Sequence, residues 1–280
     1  MNEPRQIALE TLERYTGSPW HDFQENLILT NFPPYVEYFA KSRKLPVFEG
    51  AMFKTAHSKK EKITIVDFKI GSPAAALIVD LCSFLTTKAA IFLGMCGGLR
   101  RRYKIGEYLV PVASIRNEGT SDHYFPPDVP ALANFLVQKA VTEIMEKEKI
   151  KYHVGITYTT NMRFWEFNEE FIEKIKISRA QGIEMECAAL FMASYKKRLN
   201  LGALLLISDL PLKKGGKKTK KSAQLVFDSY TKEHVELGVK IIKKADEMLE
   251  KQIKGYYSKK DEEESFPEFR GIPNNHIKNF

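Results

Sequence analysis

Two carboxylates near predicted element ends carry the most informative chemistry in the sequence. Glu186 lies in the segment 182–190, and Asp209 comes just after the uninterrupted apolar run of residues 203–207. That run predicts a buried strand, which places Asp209 at a carboxyl end, where open α/β sheets bind ligands. Cleavage of a glycosidic bond needs one acid bonded to the sugar and another that protonates the leaving group. The pair indicates this chemistry, although Glu186 could instead be a first-turn acid that favours a helix dipole.

A lysine-rich segment follows Asp209. Its lysines surround Gly215 and Gly216, with no interleaved aromatic residues of the kind that stack on bases. The segment predicts either a solvated, flexible loop or a lid that meets an anionic substrate, and its place just after Asp209 is the reason to consider a lid. The lysines are Lys213, Lys214, Lys217, Lys218, Lys220 and Lys221.

Three further segments each allow a ligand-binding and a structural interpretation. The glycine-rich residues 94–98 could bring backbone N–H groups to a phosphate or ribose, or could form a tight turn. Arg116 is the best anion ligand of the polar residues 116–124, which could equally be a surface loop. Phe164 and Trp165 follow a predicted strand and could sandwich a flat heterocycle or pack in the core.

Strands and helices alternate along the chain. The β-branched residues 63–70, the turn at Gly71, and an alanine-rich helix lead to a second strand, an order that requires a parallel crossover. Strands are predicted at 63–70, 89–93, 107–112, 154–159 and 203–207. Helices are predicted from the start to Tyr15 and at 74–85, 131–149, 183–197 and 222–251.

The composition is typical of a soluble globular protein, with 44% hydrophobic and 28% charged residues. The start of the chain lacks the apolar core of a signal peptide, and no run approaches the length of a membrane span. Cys82, Cys96 and Cys187 form no CxxC spacing and lie in apolar contexts. We therefore expect buried, reduced thiols, a cytoplasmic protein, and neither a metal site nor a membrane partner.

The net charge of +8 is compatible with nucleic acid, an acidic surface or a phosphorylated small substrate. Nothing in the chain matches a base-reading or single-strand-binding module, so we expect a small-molecule substrate and no nucleic acid. The 280 residues show no internal repeat. We expect one domain over residues 1–252, and a charged, flexible tail over residues 253–280.

Taken in order, several short segments resemble the nucleoside phosphorylase and nucleosidase superfamily, and within it the AMP nucleosidases most closely. The resemblance covers roughly residues 27–245. Each segment is short, but their order and spacing together are specific. They are Leu29-Thr30-Asn31-Phe32, Gly71-Ser72-Pro73, Leu93-Gly94-Met95-Cys96-Gly97-Gly98-Leu99, Glu118-Gly119-Thr120-Ser121, Tyr124-Phe125-Pro126-Pro127, Thr159-Thr160-Asn161, Glu184-Met185-Glu186 and Ser208-Asp209.

The resemblance implies a three-layer α/β/α sandwich with a central mixed, partly barrel-like β-sheet, assembled as a homo-oligomer between dimer and hexamer. It implies hydrolysis of the N-glycosidic bond of AMP to adenine and ribose 5-phosphate without a cofactor. Glu186 would hold the ribose hydroxyls and Asp209 would donate a proton towards N7 of adenine. Met185 would pack on the sugar and Phe164 would stack on the purine. Other residues expected at the substrate site are Ile183, Ser208, Gly97, Arg163, Arg116 and Lys218.

Three positions depart from the family pattern. Phosphorylases of the superfamily have an arginine where this chain has Phe92, so water is expected as the nucleophile. AMP nucleosidases have basic residues where Met95 and Met162 stand, so an unphosphorylated nucleoside is an alternative substrate. The alternatives are a purine nucleoside hydrolase or phosphorylase and, from another class, a non-catalytic purine nucleotide-binding sensor.

Overall fold

Ten strands form one mixed sheet at the centre of the molecule. The computed structural model describes residues 3–256, with side chains to residue 252. The strands are β1 (Asn26–Thr30), β2 (Phe48–Glu49), β3 (Lys54–Ser58), β4 (Ile63–Asp67), β5 (Ala89–Gly98), β6 (Tyr108–Asn117), β7 (Ala131–Leu132), β8 (Tyr152–Thr160), β9 (Gly182–Glu184) and β10 (Asn200–Asp209).

Part of the sheet closes on itself. Strand β5 pairs in parallel with β1 and β10, and β10 pairs antiparallel with β6. From β6 the sheet continues through β8 and β9 and returns to β5, which closes a ring. Register shifts occur in β6 between Pro111 and Ala113 and in β10 between Ile207 and Asp209, and such bulges bend strands at barrel rims. Strands β1, β4, β3 and β2 extend from β5 as an open sheet, and the short β7 pairs with β6.

Helices cover both faces of the sheet, which confirms the three-layer architecture. They are α1 (Glu3–Thr16), α2 (Pro33–Arg43), α3 (Ser72–Cys82), α4 (Phe135–Lys147), α5 (Glu169–Ser178), α6 (Cys187–Lys197) and α7 (Lys220–Tyr256). Helices α1, α3 and α6 bury their apolar faces in one core cluster, and α2, α4 and α7 bury theirs in another. A smaller cluster joins Trp165 to Phe171 and Ile175 of α5.

Local sequence explains where two of these helices begin. Pro73 stands in the first turn of α3, where a missing N–H costs nothing, and the preceding Gly71 has a φ of 102°, which suits glycine. Asn134 caps α4, because its side chain accepts hydrogen bonds from the backbone N–H groups of Leu136 and Val137. The turn at Gly71 matters for function, since it brings a backbone N–H to the cleft described below.

The glycine-rich residues 94–98 form strand, which corrects the prediction that the strand ends at Leu93. They pair with β10 and, at their end, with β9. A Cβ at Gly94 would lie 2.4 Å from the Phe92 ring, and one at Gly97 would lie 3.0 Å from Pro211. The glycines therefore serve close packing inside the closed ring rather than a turn between strand and helix.

Two predicted helices begin later in the structure. Residues 131–132 form β7 before α4, and residues 182–184 form β9 before α6, so Ile183 lies in a strand. Both short strands complete ladders with longer neighbours, a tertiary effect that local composition does not reveal. At the other end, α7 continues to Tyr256, so it includes the first residues of the predicted tail. The rest of that tail lies outside the described residues.

Within residues 3–256, no helix combines the length and the apolar character that crossing a membrane requires.

Candidate active site

A cleft opens where the carboxyl ends of several strands meet. Its walls come from the residues after β1, the end of β5, the residues after β8, the β9 to α6 junction and the end of β10. This edge of a parallel ladder is where α/β sheets bind ligands. Glu186 and Asp209, which lie on separate elements, both line the cleft.

Glu186 lies directly before α6 and is held by two backbone donors. The N–H of Gly71 donates to Oε1 at 2.8 Å, and the N–H of Met185 donates to Oε2 at 3.2 Å. Only 2% of the residue is exposed, although it lines the cleft. The Gly71 turn and the start of α6 therefore fix this carboxylate in position.

Glu184, two residues earlier, serves the structure. Its Oε2 accepts hydrogen bonds from the N–H groups of Glu186 and Cys187 at 2.7 and 2.6 Å, and Oε1 accepts one from the Thr159 hydroxyl. Because the first N–H groups of a helix have no partners within the helix, Glu184 caps α6 from outside. The cap also ties the backbone of Glu186 to β9.

The two buried glutamates influence each other. Burial raises the pKa of Glu186, and the neighbouring carboxylate of Glu184 raises it further, while hydrogen bonds from Gly71 and Met185 oppose both effects. Burial also raises the pKa of Glu184, against the hydrogen bonds that it accepts. The proton affinity of the cleft carboxyl is therefore higher than that of an ordinary glutamate.

Asp209 ends β10, is 8% exposed, and belongs to a short chain of polar contacts. The Ser208 hydroxyl donates to Oδ1 of Asp209 at 2.6 Å. The ammonium group of Lys218 donates to the Ser208 oxygen at 3.3 Å. This contact occupies one carboxyl oxygen of Asp209 and leaves the other available to a ligand.

Lys218 is the one lysine of the lysine-rich segment that lines the cleft. Burial lowers the pKa of Lys218, which Asp209 opposes and Arg163 reinforces. Lys217, its neighbour, points elsewhere: Nζ lies 4.0 Å from the centroid of the Phe167 ring and donates to the backbone oxygen of Glu166 at 3.1 Å. The segment is thus attached to the loop that follows β8 and is not an unattached solvated loop.

The loop after β8 contributes a further acid. Glu166 lines the cleft, its side chain is 10% exposed, and Oε1 lies 3.6 Å from Nη1 of Arg163. Its Oε2 is buried and has no hydrogen-bond partner among the described residues. Trp165 beside it is 5% exposed and also lines the cleft.

The structure brings together most of the residues that the sequence assigned to a substrate site. Those that line the cleft are Asp209, Glu186, Met185, Ile183, Ser208, Gly97, Arg163 and Lys218. Arg116 and Phe164 are not among the lining residues.

Arg116 was expected to bind an anion at the substrate site. The structure corrects this expectation, because its guanidinium group donates hydrogen bonds within its own loop. It donates to the Ser121 hydroxyl, to a carboxylate oxygen of Asp122, and to the backbone oxygens of Phe125, Pro126 and Val129. Its side chain is 7% exposed. With its donors engaged in this way, Arg116 organises the loop rather than presenting a free cation to an anion.

Phe164 corrects another expectation, since 71% of it is exposed and it lies outside the cleft. A short 3-10 helix, Trp165–Phe167, follows β8 and turns the two neighbouring aromatic side chains in different directions. Trp165 is the buried member and contacts the Phe171 ring of α5. Trp165 is therefore the aromatic residue of this pair that lines the cleft.

Sequence reasoning missed some lining residues. Asn31 follows β1, and its Oδ1 is buried without a hydrogen-bond partner among the described residues. Ile70, before the Gly71 turn, also lines the cleft. Glu166 was missed although it adjoins Trp165 in a segment already suspected of ligand binding. A polar residue next to a candidate aromatic wall was the available signal.

The arrangement has the chemistry for cleaving a bond between a sugar and a base. Glu186 offers a fixed carboxylate that can accept hydrogen bonds and favour nearby positive charge. Asp209 offers a carboxyl group at a strand end with one oxygen available. Trp165 and Ile183 supply apolar surface for a ring.

Comparison with known proteins is consistent with this chemistry. The family model described as the phosphorylase superfamily matches residues 25–243. A crystal structure of AMP nucleosidase from Bacteroides thetaiotaomicron has a TM-score of 0.76 and 33% sequence identity, over 89% of this chain and 99% of that one.

Two curated relatives are more distant in sequence. AMP nucleosidase from Escherichia coli (strain K12) is 27% identical over 84% of this chain, and the matched region is 58% of that protein. Uridine phosphorylase from Thermococcus kodakarensis is 26% identical over 71% of this chain and 77% of its own length. The chain thus spans less than two thirds of the first of these relatives.

Proposed function

This chain belongs to the phosphorylase superfamily, and we propose that it hydrolyses the N-glycosidic bond of AMP to give adenine and ribose 5-phosphate. One observation carries the reaction type: Glu186 and Asp209, from separate elements, line the same cleft. The AMP nucleosidases among its relatives support the choice of substrate. The proposed catalytic unit is the domain over residues 1–252.

Glu186 is the proposed partner of the ribose. As the bond between C1′ and the base lengthens, the sugar becomes oxocarbenium-like and gains positive charge. A carboxylate that accepts hydrogen bonds from the ribose hydroxyls favours this charge. Gly71 and Met185 hold the carboxylate before substrate binds, so little reorganisation is needed during the reaction.

Asp209 is the proposed general acid. It donates its proton towards N7 of the departing adenine, so the base leaves as a neutral molecule rather than an anion. Ser208 donates to Oδ1, which leaves the second carboxyl oxygen for the proton. Lys218 holds the Ser208 hydroxyl and thereby supports its orientation.

Water is the proposed nucleophile. The position that carries an arginine in phosphorylases of the superfamily is Phe92 here, a fully buried apolar side chain whose ring packs against Gly94. This part of β5 therefore presents no guanidinium group to an inorganic phosphate. Hydrolysis needs no such contact.

Two cationic side chains, Arg163 and Lys218, lie among the acids that line the cleft. We propose that they offset the repulsion between these acids and the 5′-phosphate of a nucleotide. We further propose a cytoplasmic homo-oligomer, between dimer and hexamer, on the resemblance of the sequence motifs. Cys82, Cys96 and Cys187 are free, buried thiols, as a reducing compartment would allow.

Release of adenine from AMP and from adenosine tests the function, each with and without inorganic phosphate, with products separated by chromatography. Phosphate-independent release from AMP is the expected result. Release only with phosphate would replace hydrolysis by phosphorolysis, and release from adenosine alone would make the enzyme a nucleoside hydrolase. Binding of AMP without release would support a purine nucleotide sensor.

A further inference from the structure

Glu166 is an acid in the cleft that the proposed mechanism does not use. One oxygen of its carboxylate faces Arg163 at 3.6 Å, while the other is buried and has no partner among the described residues. Leaving a buried carboxylate oxygen without a donor is costly, so such a group is expected to have a donor in the working complex. A ligand in the cleft can supply one.

Neighbouring contacts connect the Glu166 loop to the Asp209 side of the cleft. The backbone oxygen of Glu166 accepts a hydrogen bond from Nζ of Lys217. The next residue, Lys218, donates to Ser208, whose hydroxyl contacts Asp209. Glu186 instead contacts the Gly71 turn, through a different set of elements.

The chemistry of the purine ring relates Glu166 to Asp209. N7 and the substituent at C6 share one edge of the ring: adenine presents the N7 acceptor beside an N6 amino donor, whereas a 6-oxopurine presents two acceptors. If Asp209 protonates N7, the group beside it on the protein meets the substituent at C6. A carboxylate there accepts a hydrogen bond from an amino group and repels a carbonyl oxygen.

We propose that Glu166 recognises the 6-amino group of the purine and so excludes 6-oxopurine nucleotides and nucleosides. This inference rests on the proposed function, because it takes the orientation of the base from Asp209 as the acid. Arg163 contacts only Oε1 and is half exposed, and no described group donates to the buried Oε2, so the carboxylate keeps unused acceptor capacity. Glu166 is thus a specificity-determining residue at the base.

The test compares wild type with Glu166→Gln on three nucleotides: AMP, IMP and purine riboside 5′-monophosphate, which has hydrogen at C6. Parallel assays use the corresponding nucleosides. Glutamine keeps the shape, can still accept one hydrogen bond, and adds an amide donor that suits a 6-oxo group. For each substrate, kcat/KM of the variant is divided by that of the wild type. This ratio cancels the differences in intrinsic reactivity between the leaving bases.

For Glu166→Gln we expect kcat/KM for AMP to fall about tenfold to a hundredfold, the range for losing a hydrogen bond to a charged group. The value for IMP should hold or rise, and that for purine riboside 5′-monophosphate should change less than about twofold. Glu169→Gln, an exposed acid at the start of α5, is the matched control and should leave all ratios unchanged. An equal fall on all three substrates, or no change, would overturn the inference.

Titration calorimetry with AMP and IMP separates this inference from the proposed function. Selective binding of AMP that Glu166→Gln abolishes, without any base release, would support the specificity role and reject the hydrolase. Base release from AMP with unaltered selectivity in the variant would keep the hydrolase and reject the role of Glu166. Absence of both binding and release would overturn both.

Discussion

The Ser208 hydroxyl donates a 2.6 Å hydrogen bond to Oδ1 of Asp209, the last residue of β10. Strand β10 has a register shift just before Asp209, so the backbone bends where the acid is presented. The hydrogen bond engages one carboxyl oxygen of Asp209, and the bend lies where this residue lines the cleft. This local geometry, added to the position of Glu186, is the basis of the mechanism proposed above.

Replacing Asp209 with asparagine should remove adenine release while preserving the fold. The amide keeps the shape of the side chain but has no proton to donate to N7, so kcat should fall by about a hundredfold or more. Chromatographic assay of adenine measures the loss, and thermal unfolding checks the fold. Asp128→Asn, an exposed substitution, is the control. Wild-type activity in Asp209→Asn would remove Asp209 from the mechanism.

Lys218 should affect kcat for AMP and adenosine alike. Its ammonium group contacts Ser208 beside the acid, so Lys218→Met should lower kcat about tenfold on both substrates by loosening the orientation of Asp209, and loss of its charge should add at most a small rise in KM for AMP. The exposed Lys214→Met provides a matched control from the same segment. A large rise in KM for AMP alone, with kcat unchanged on both substrates, would show instead that Lys218 contacts the 5′-phosphate, as the lid interpretation of the sequence predicts.

The pH profile should report the raised pKa of Glu186. The ionised carboxylate stabilises the oxocarbenium-like sugar, so kcat/KM should fall as pH falls through the Glu186 pKa, above the usual 4.5. Glu184→Gln removes the neighbouring negative charge and should move this acid limb to lower pH. The exposed Glu173→Gln should leave the profile unchanged. An acid limb that Glu184→Gln does not move would show that another group governs it.

His57 should make the protein less stable in mild acid. Burial lowers its pKa from 6.5 to about 4, an effect that Asp22 opposes and Lys59 reinforces. The unfolded chain therefore binds a proton before the native state does. Stability is full above pH 6.5 and falls by up to about 3 kcal/mol as pH drops from 6.5 to 4.

Urea unfolding of wild type and His57→Asn across this pH range measures the contribution. Ser18 and Thr64 contact the two ring nitrogens, so the variant should be less stable at neutral pH but should lose less stability on acidification. His234 is also buried, and burial lowers its pKa to about 3. It therefore lowers the stability of wild type and variant alike as the pH falls. Equal slopes for wild type and variant would exclude His57 as a source of the pH dependence.

The sequence predicted the fold class because the apolar runs and glycine-marked turns alternate clearly, and its motifs resemble a known superfamily. It did not predict that residues 94–98 continue β5. Their strand conformation depends on pairing with β10 and β9, which are distant in sequence. Local composition shows only that glycine permits many backbone conformations. The pairing with β10 and β9 determines that these residues form strand.

The site was predictable in part for a similar reason. Residues that end strands, such as Asp209, could be placed from the sequence because strand ends meet at one edge of the sheet. Side chains in irregular loops could not be placed. Phe164 and Trp165 are adjacent in sequence, yet one is exposed and the other is buried, and Arg116 donates to its own loop. The direction in which a loop side chain points depends on the backbone geometry of the loop, which the hydrophobic periodicity of the sequence does not predict.

The closed ring of strands also has a consequence for folding. Asp209 reaches the cleft only when β10, the last strand of the part of the chain that the structure describes, inserts between β5 and β6. During synthesis from the amino terminus, the pocket containing Glu186 is therefore translated before its acid is in place. The acid joins the site through contacts between segments distant in sequence, which are the slow ones to form. Nascent chains lacking β10 should consequently be catalytically silent, whatever structure they have already acquired.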